Sequence, residues 1–426
     1  MARTTDSRVL RVMWHSRSVI RADDRPSRRT LLGAASAAVL TAGCSADSNG
    51  QPAAPAATAS APGQVTPTGT HQAGIATPHT PQPNLLAIIA DITPSLAPSA
   101  VQSAAPSAAP SAVPSGAPSG PLSAVGRLLA ELGETIVALS AGTEPRLVGL
   151  VPGDLTVTVG VGPRLVRMAG RTLPGATDLP AFAHEQIAPA ARGGDVLLQI
   201  CASDPLVLSV AAAALLDRAG DRLRERWRQS ARRGPAVQVA EGLTAPRNQL
   251  GFVDGIVGPH TEAEQSLNLW LDEPAPVAGG TIAVLRRMEL DLRRFAGLSA
   301  AHQEAVIGRH RDTGIPLSGG VVADGPDLGA KTPDGRYLVP ADAHARRAHA
   351  AVVGVRLMLR RSYSIDEPAP GLLFVSFQND LRTFTATLTH MENGDALLPF
   401  TKTTASATFL ILPGFDPRRP LGSTLF

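Results

Sequence analysis

Three stretches place reactive side chains in settings that call for a chemical reading. Asp254 stands in RNQLGFVDGIVGP (Arg247–Pro259), bracketed by Gly251 and Gly255. Glycines permit turns with positive φ and let a flat ligand approach the backbone closely. A carboxylate on such a turn can serve as a fixed general base; it can equally bond only its own backbone. His344 and His349 lie in VPADAHARRAHAA (Val339–Ala351). Each is either a metal-ligating imidazole or a solvated residue beside an arginine pair. Arg360 and Arg361 close the apolar run in LMLRRSYSI (Leu357–Ile365). A guanidinium there can stabilise developing negative charge or simply mark a solvated strand end. No HExxH or CxxC spacing occurs, so a zinc site is not supported.

These residues need strands and helices to hold them. LLAIIADI (Leu85–Ile92), LTVTVGV (Leu155–Val161) and DVLLQIC (Asp195–Cys201) read as strands, Val125–Leu139 as a helix, and Leu206–Arg228 as a helix with a basic end. That order is close to a ferredoxin-like pattern. The second half offers LNLWL (Leu267–Leu271), TIAVLRRMEL (Thr281–Leu290), GLLFVSFQ (Gly371–Gln378) and ATFLILP (Ala407–Pro413) as strands with helical stretches between. The fold class is therefore α+β, two halves with antiparallel sheets. The 426 residues suffice for two modest domains. Charge is nearly balanced, 39 basic against 36 acidic residues, and no basic stripe with interleaved aromatics appears, so nucleic acid is not an expected partner. Two cysteines, Cys44 and Cys201, exclude a disulfide framework.

Residues 1–44 end in SRRTLLGAASAAVLTAGC, where Arg28-Arg29 precedes an apolar run from Leu31 to Ala42. This is the layout of a twin-arginine export signal, and the run is too short to remain as a membrane span. Thr41-Ala42-Gly43-Cys44 resembles a lipobox, with Leu40 one place early. Lipidation of Cys44 would anchor the product to a membrane; ordinary cleavage nearby would release it. Residues 45–70, rich in Ala, Pro, Ser and Thr, read as a disordered tether. Residues 71–240 then form the first half, with an APS-repeat insertion at 94–121, and residues 241–426 the second.

Taken in order, these stretches resemble the dye-decolourising (DyP-type) peroxidases, especially their twin-arginine-exported, deferrochelatase-like branch. The resemblance rests on HQAGI (His71–Ile75), LTVTVGVGPRL (Leu155–Leu165), GGDVLLQICASDP (Gly193–Pro205), the GFVDG match to GxxDG, GRHRDTGIPLSGG (Gly308–Gly320), VPADAHAR, LMLRRSYS and GLLFVSFQND. GxxDG alone is weak; the ordered set is specific, and it runs from about residue 70 to the C-terminus apart from the APS insertion.

The resemblance implies two ferredoxin-like halves in a dimeric α/β-barrel-like arrangement, with haem b in the second. No CxxCH motif occurs, so the haem is held non-covalently. His344 would ligate the iron, and Asp395, in ENGDALLPF, would accept the other ring N–H of His344. Asp254 and Arg360 would act on peroxide. Gly251, Phe252 and Gly255 would lie against the cofactor, and Leu372 and Phe374 would close the pocket. Two departures stand beside site residues: Ile256 where a polar residue is usual, and Ser362 in place of a glycine.

The expected activity is reduction of hydrogen peroxide with oxidation of dyes, phenols or another organic electron donor. It is expected to persist in acid, where an aspartate stays charged and a histidine base would be protonated. Tyr363, three residues after Arg360, is either an electron relay or a packing residue. Removal of iron from haem and simple haem carriage are the rival readings. Self-association into a homo-oligomer is open.

Overall fold

The computed structural model describes residues 63–93, 121–240, 243–322 and 325–426. The twin-arginine stretch, Cys44, most of the tether read at 45–70 and the APS insertion at 94–120 lie outside the described residues.

The first half runs β1 (Asn84–Ile92), α1 (Pro121–Ala141), β2 (Thr156–Val161), α2 (Pro163–Ala169), β3 (Val196–Ala202), α3 (Pro205–Ala219) and β4 (Leu223–Arg232). A small hairpin, β5 (Val237–Ala240) and β6 (Leu243–Ala245), leads to α4 (Glu262–Asn268). The second half is β7 (Thr281–Leu290), α5 (Leu292–Ala296), α6 (Ala300–Ile307), α7 (His344–Arg347), α8 (Ala350–Val353), β8 (Leu359–Arg360), β9 (Tyr363–Ile365), β10 (Gly371–Gln378), α9 (Leu381–Glu392) and β11 (Thr401–Ile411).

Each half is a four-stranded antiparallel sheet in ferredoxin-like order, β2-β3-β1-β4 and β11-β7-β10-β9. The two sheets join edge to edge, and β7 also pairs with β10, so the strands close into a barrel. β8 and β9 follow one another along the same edge of β10. Closure leaves no strand edge to be covered between the halves.

Strand alternation then sorts the side chains. Leu85, Ala87 and Ile89 of β1 point into the barrel with Phe377, Phe409 and Tyr363. Leu86 and Ile88 point outward against Leu128, Leu129, Leu132 and Ile136 of α1, whose spacing makes one helical stripe. Each such fully buried Leu, Ile or Phe stabilises by about 1.5–3 kcal/mol.

Two expected elements differ. The helix expected over Leu206–Arg228 stops at Ala219 because Gly220, at φ 58, turns the chain, and the remainder is β4. There Trp227, Gln229 and Ala231 alternate with outward arginines, a period of two hidden by the charges. LNLWL is no strand: Thr261 and Glu264 form a capping box that starts α4, and the helix takes Leu267 and Asn268. The packed chain also begins before His71, since Val65 is buried and Gln64 donates to the Ser140 carbonyl.

The seams between halves are short: two residue pairs, Leu410–Val161 and Ile411–Gly160, join β11 to β2, and one, Arg232–Ser364, joins β4 to β9. The segment 70–79 reinforces them. The Gln72 carboxamide donates to the carbonyls of Val159 (2.8 Å) and Leu412 (2.9 Å) and accepts from the Val159 N–H (2.8 Å). Gly74 sits at φ +90, and a Cβ there would lie 2.3 Å from Thr158 Oγ1, so glycine is required. Arg361, 5% exposed, donates to the carbonyls of Gly74, Pro78 and His79 on this strap. Gln72→Leu keeps the volume but strands two buried polar groups, the Val159 N–H and the Leu412 carbonyl, since the Val159 carbonyl still accepts from the Leu412 N–H. It is expected to destabilise by about 2–4 kcal/mol, at 1–3 kcal/mol per orphaned group with partial relaxation, read as a lower urea midpoint at unchanged slope.

Candidate functional site

β10 has two faces. Leu373, Val375 and Phe377 fill the barrel, and Leu372, Phe374 and Ser376 point outward. Arg360 pairs directly with Ser376, so its side chain shares that outer face. Burial pushes the Arg360 guanidinium down from its ordinary value, and the charge of Asp254 pulls it back up. Its side chain nonetheless retains accessible surface. The guanidinium is thus buried enough to be disfavoured as a cation and still open to a ligand.

Asp254 is held on the turn that joins the hairpin to α4. Its N–H donates to the Pro246 carbonyl (2.9 Å), and its Oδ1 accepts from the Gly255 N–H (2.7 Å). Gly251 and Gly255 have φ of +86 and +78, which makes the turn possible. Arg360 donates from Nη2 to the Val257 carbonyl at 3.2 Å, tying it to the same loop. Phe252 faces elsewhere: it is 2% exposed and packs edge-to-face on Phe295, anchoring the loop from beneath. Phe374 leans on Phe384 of α9.

His344 opens α7. Its Nδ1 lies 2.9 Å from Asp395 Oδ2; the carboxylate is 0% exposed and the imidazole side chain 31%. The other carboxylate oxygen accepts from the Leu397 N–H. A buried carboxylate accepts hydrogen bonds only, so Nδ1 carries the proton and the Nε2 lone pair is left free. An imidazole oriented from behind by a carboxylate is the donor arrangement of a metal-ligating histidine.

Arg309, inside GRHRDTGIPLSGG, was not singled out from sequence, although it stands beside a glycine that ends a helix. It is 8% exposed and donates to the Gly314 carbonyl at 2.8 Å. Burial and the neighbouring charge of Arg360 both press its guanidinium down. Neither Arg309 nor Arg360 forms an ion pair among the described residues, so Asp254 offsets only part of their charge. His349 Nδ1 and Ser376 Oγ are buried without a hydrogen-bond partner among the described residues. Cationic walls, orphaned polar atoms and a free imidazole nitrogen suit a flat, acidic, metal-bearing ligand such as haem. Arg309 could meet one of its carboxylates, and His344 could meet its metal.

Tyr363 points the other way, into the barrel. Its hydroxyl faces Cys201 Sγ at 4.0 Å, and burial drives its pKa well above the ordinary value. Tyr363 is 2% exposed and packs in the barrel core. The Cys201 thiol is likewise pushed up to about 12 by burial and stays protonated.

The description "Dyp-type peroxidase, C-terminal" matches residues 245–416, and "Dyp-type peroxidase, N-terminal" matches residues 122–231. A dye-decolorizing peroxidase of Thermobifida fusca is 33% identical over 302 residues, 65% of this chain and 68% of that protein. A deferrochelatase of Shigella sonnei is 29% identical over 444 residues, covering 94% and 97%. The oxyferrous complex of DtpA from Streptomyces lividans superposes with a TM-score of 0.74 at 28% identity, over 86% of this chain and 98% of that one.

Burial and the charge of Arg309 hold the His349 pKa below its ordinary value. The unfolded chain therefore binds more protons than the folded one once pH drops below about 6.5. Stability tied to His349 is full above that pH and is lost as pH falls towards the lowered folded value. The urea midpoint of wild type should fall more steeply from pH 7 to pH 5 than that of His349→Leu. Parallel curves would show that His349 is not held neutral.

Proposed function

The chain belongs to the Dyp-type peroxidase family, and from that premise we propose that His344, Asp395, Asp254 and Arg360 carry its haem-dependent reduction of hydrogen peroxide. The observation that carries this assignment is the His344–Asp395 pair, with the carboxylate wholly buried behind the imidazole. Haem, when bound, supplies the redox chemistry with peroxide and with the organic electron donor.

The residues supply placement and charge. His344 Nε2 is the ligand to the iron. Asp395 fixes the ring and makes it a stronger electron donor by drawing on its Nδ1 proton. With haem in place, Asp254 would take a proton from hydrogen peroxide on Oδ2, since Oδ1 is held by the Gly255 N–H, and would return it to the departing oxygen. Arg360 holds positive charge against that departing oxygen. Leu372 and Phe374 keep the outer face of β10 apolar, so the charge acts without competing water. Dyes and phenols are the reductants this reading expects.

The deferrochelatase relative matches over nearly the whole chain, so release of iron from intact haem is the second reading. It would use the same His344 and need no peroxide. Iron release under anaerobic reducing conditions, set against turnover with peroxide and a phenol, separates the two. Arg28-Arg29 ahead of Leu31–Ala42 supports twin-arginine export to an extracytoplasmic site, and Cys44 is the residue a lipid would modify.

His344→Ala is expected to lose most bound haem, read from the Soret band, while His349→Ala keeps it. The reverse result would move the ligand to His349. Asp254→Asn and Arg360→Leu are both expected to retain haem. Arg360→Leu should slow the spectral change on mixing with hydrogen peroxide by roughly 10²–10³-fold, since its fixed charge in a protein-lined hollow has no substitute. Asp254→Asn should slow it less, because peroxide or an ordered water can take over part of the proton transfer. Stopped-flow mixing that finds Arg360→Leu near wild type and Asp254→Asn inactive would reverse the two roles.

A further inference from the structure

A second charged cleft lies in the first half, built from segments that contain none of the residues above. It has a volume of about 430 Å³ and is lined by five arginines and three aspartates. The segments that meet there are the ends of β1 and β4, α2, and the loop entering β3.

Most of the arginines are tied to a carboxylate. Arg164 grips Asp195 with two donors, and that pairing holds its guanidinium above its ordinary value. Arg167 pairs with Asp178 at 3.0 Å and Arg226 with Asp91 at 2.8 Å. The remaining two share partners already taken. Arg224 reaches Asp91 only at 3.7 Å and is 77% exposed. Arg192 pairs with Glu185, whose other oxygen is held by the buried Arg286. The Nε of Arg226 is also buried with no hydrogen-bond partner among the described residues. The residues that line the open cleft, five arginines against three aspartates, thus carry two more positive charges than negative.

We propose that the cleft binds a small flat organic dianion, an aromatic carrying two sulfonate, phosphate or carboxylate groups. Two anionic groups match the two surplus cations. Guanidinium planes recognise such groups in bidentate fashion and stack on aromatic faces. Ile92 and Pro163 give the ring an apolar contact. The volume is that of a small-molecule site. The proposal is independent of the haem site and of the peroxidase reading.

Isothermal titration of the haem-loaded protein with 1,5-naphthalenedisulfonate at low salt tests it. One molecule is expected to bind per chain, several-fold more weakly at higher salt, with the Soret band unchanged. Arg224→Glu should weaken binding at least tenfold. Arg418→Glu, an equal charge change at an exposed position outside the cleft, should leave it intact. Absence of binding, or equal loss in both variants, would overturn the site. Pyrophosphate binding as tightly as the disulfonate would show that charge alone is read and would overturn the aromatic assignment.

Discussion

The pleat of β10 ties the core of the barrel to the chemistry outside it. Leu373, Val375 and Phe377 are fully buried inside, and Leu372, Phe374 and Ser376 face outward from the same eight residues. A slip of one residue would turn phenylalanine and valine out and drive Ser376, with its partner Arg360, into the barrel. Register is therefore set by core burial, and the position of Arg360 follows from it. The β7 partner obeys the same rule: Ala283 and Leu285 point in, while Arg286 points out between Phe182 and Phe384.

Buried charge governs the rest of the site. Asp395 is tolerated at 0% exposure because the Leu397 N–H and His344 both donate to it. The partner that stabilises the carboxylate is the proposed iron ligand. Arg309 and Arg360 are a different case: burial disfavours both, the charge of Arg360 adds to the cost at Arg309, and Asp254 offsets part of it at Arg360. A bound anion would offset that repulsion. Closure of the barrel serves this arrangement from a distance: the strap holding Arg361 braces the residue beside Arg360, where β8 gives way to β9.

Several features were legible in sequence because their causes are local. The apolar runs at Leu85–Ile92, Thr281–Leu290 and Gly371–Gln378 became strands at nearly the expected bounds, since continuous Leu, Ile, Val and Phe can be buried on both faces. The Asp254 turn was visible from its two glycines, which alone accept its positive φ. β4 was hidden because its arginines and glutamate mask an alternation that matters only once β1 lies alongside. LNLWL was misread because the capping residues that decide it precede the run.

By itself the sequence determined the α+β class, the residue types able to do chemistry and, through ordered motifs, the family. Those properties depend on neighbours along the chain. The resemblance already implied a barrel-like arrangement and Asp395 behind His344, a pair that the structure brings together across 51 residues; only the tertiary structure decided that Arg309 joins Arg360 and that Phe252 and Tyr363 turn into packed cores. Each depends on which groups meet after burial, and burial sets both the cost of a charge and the partner it must find.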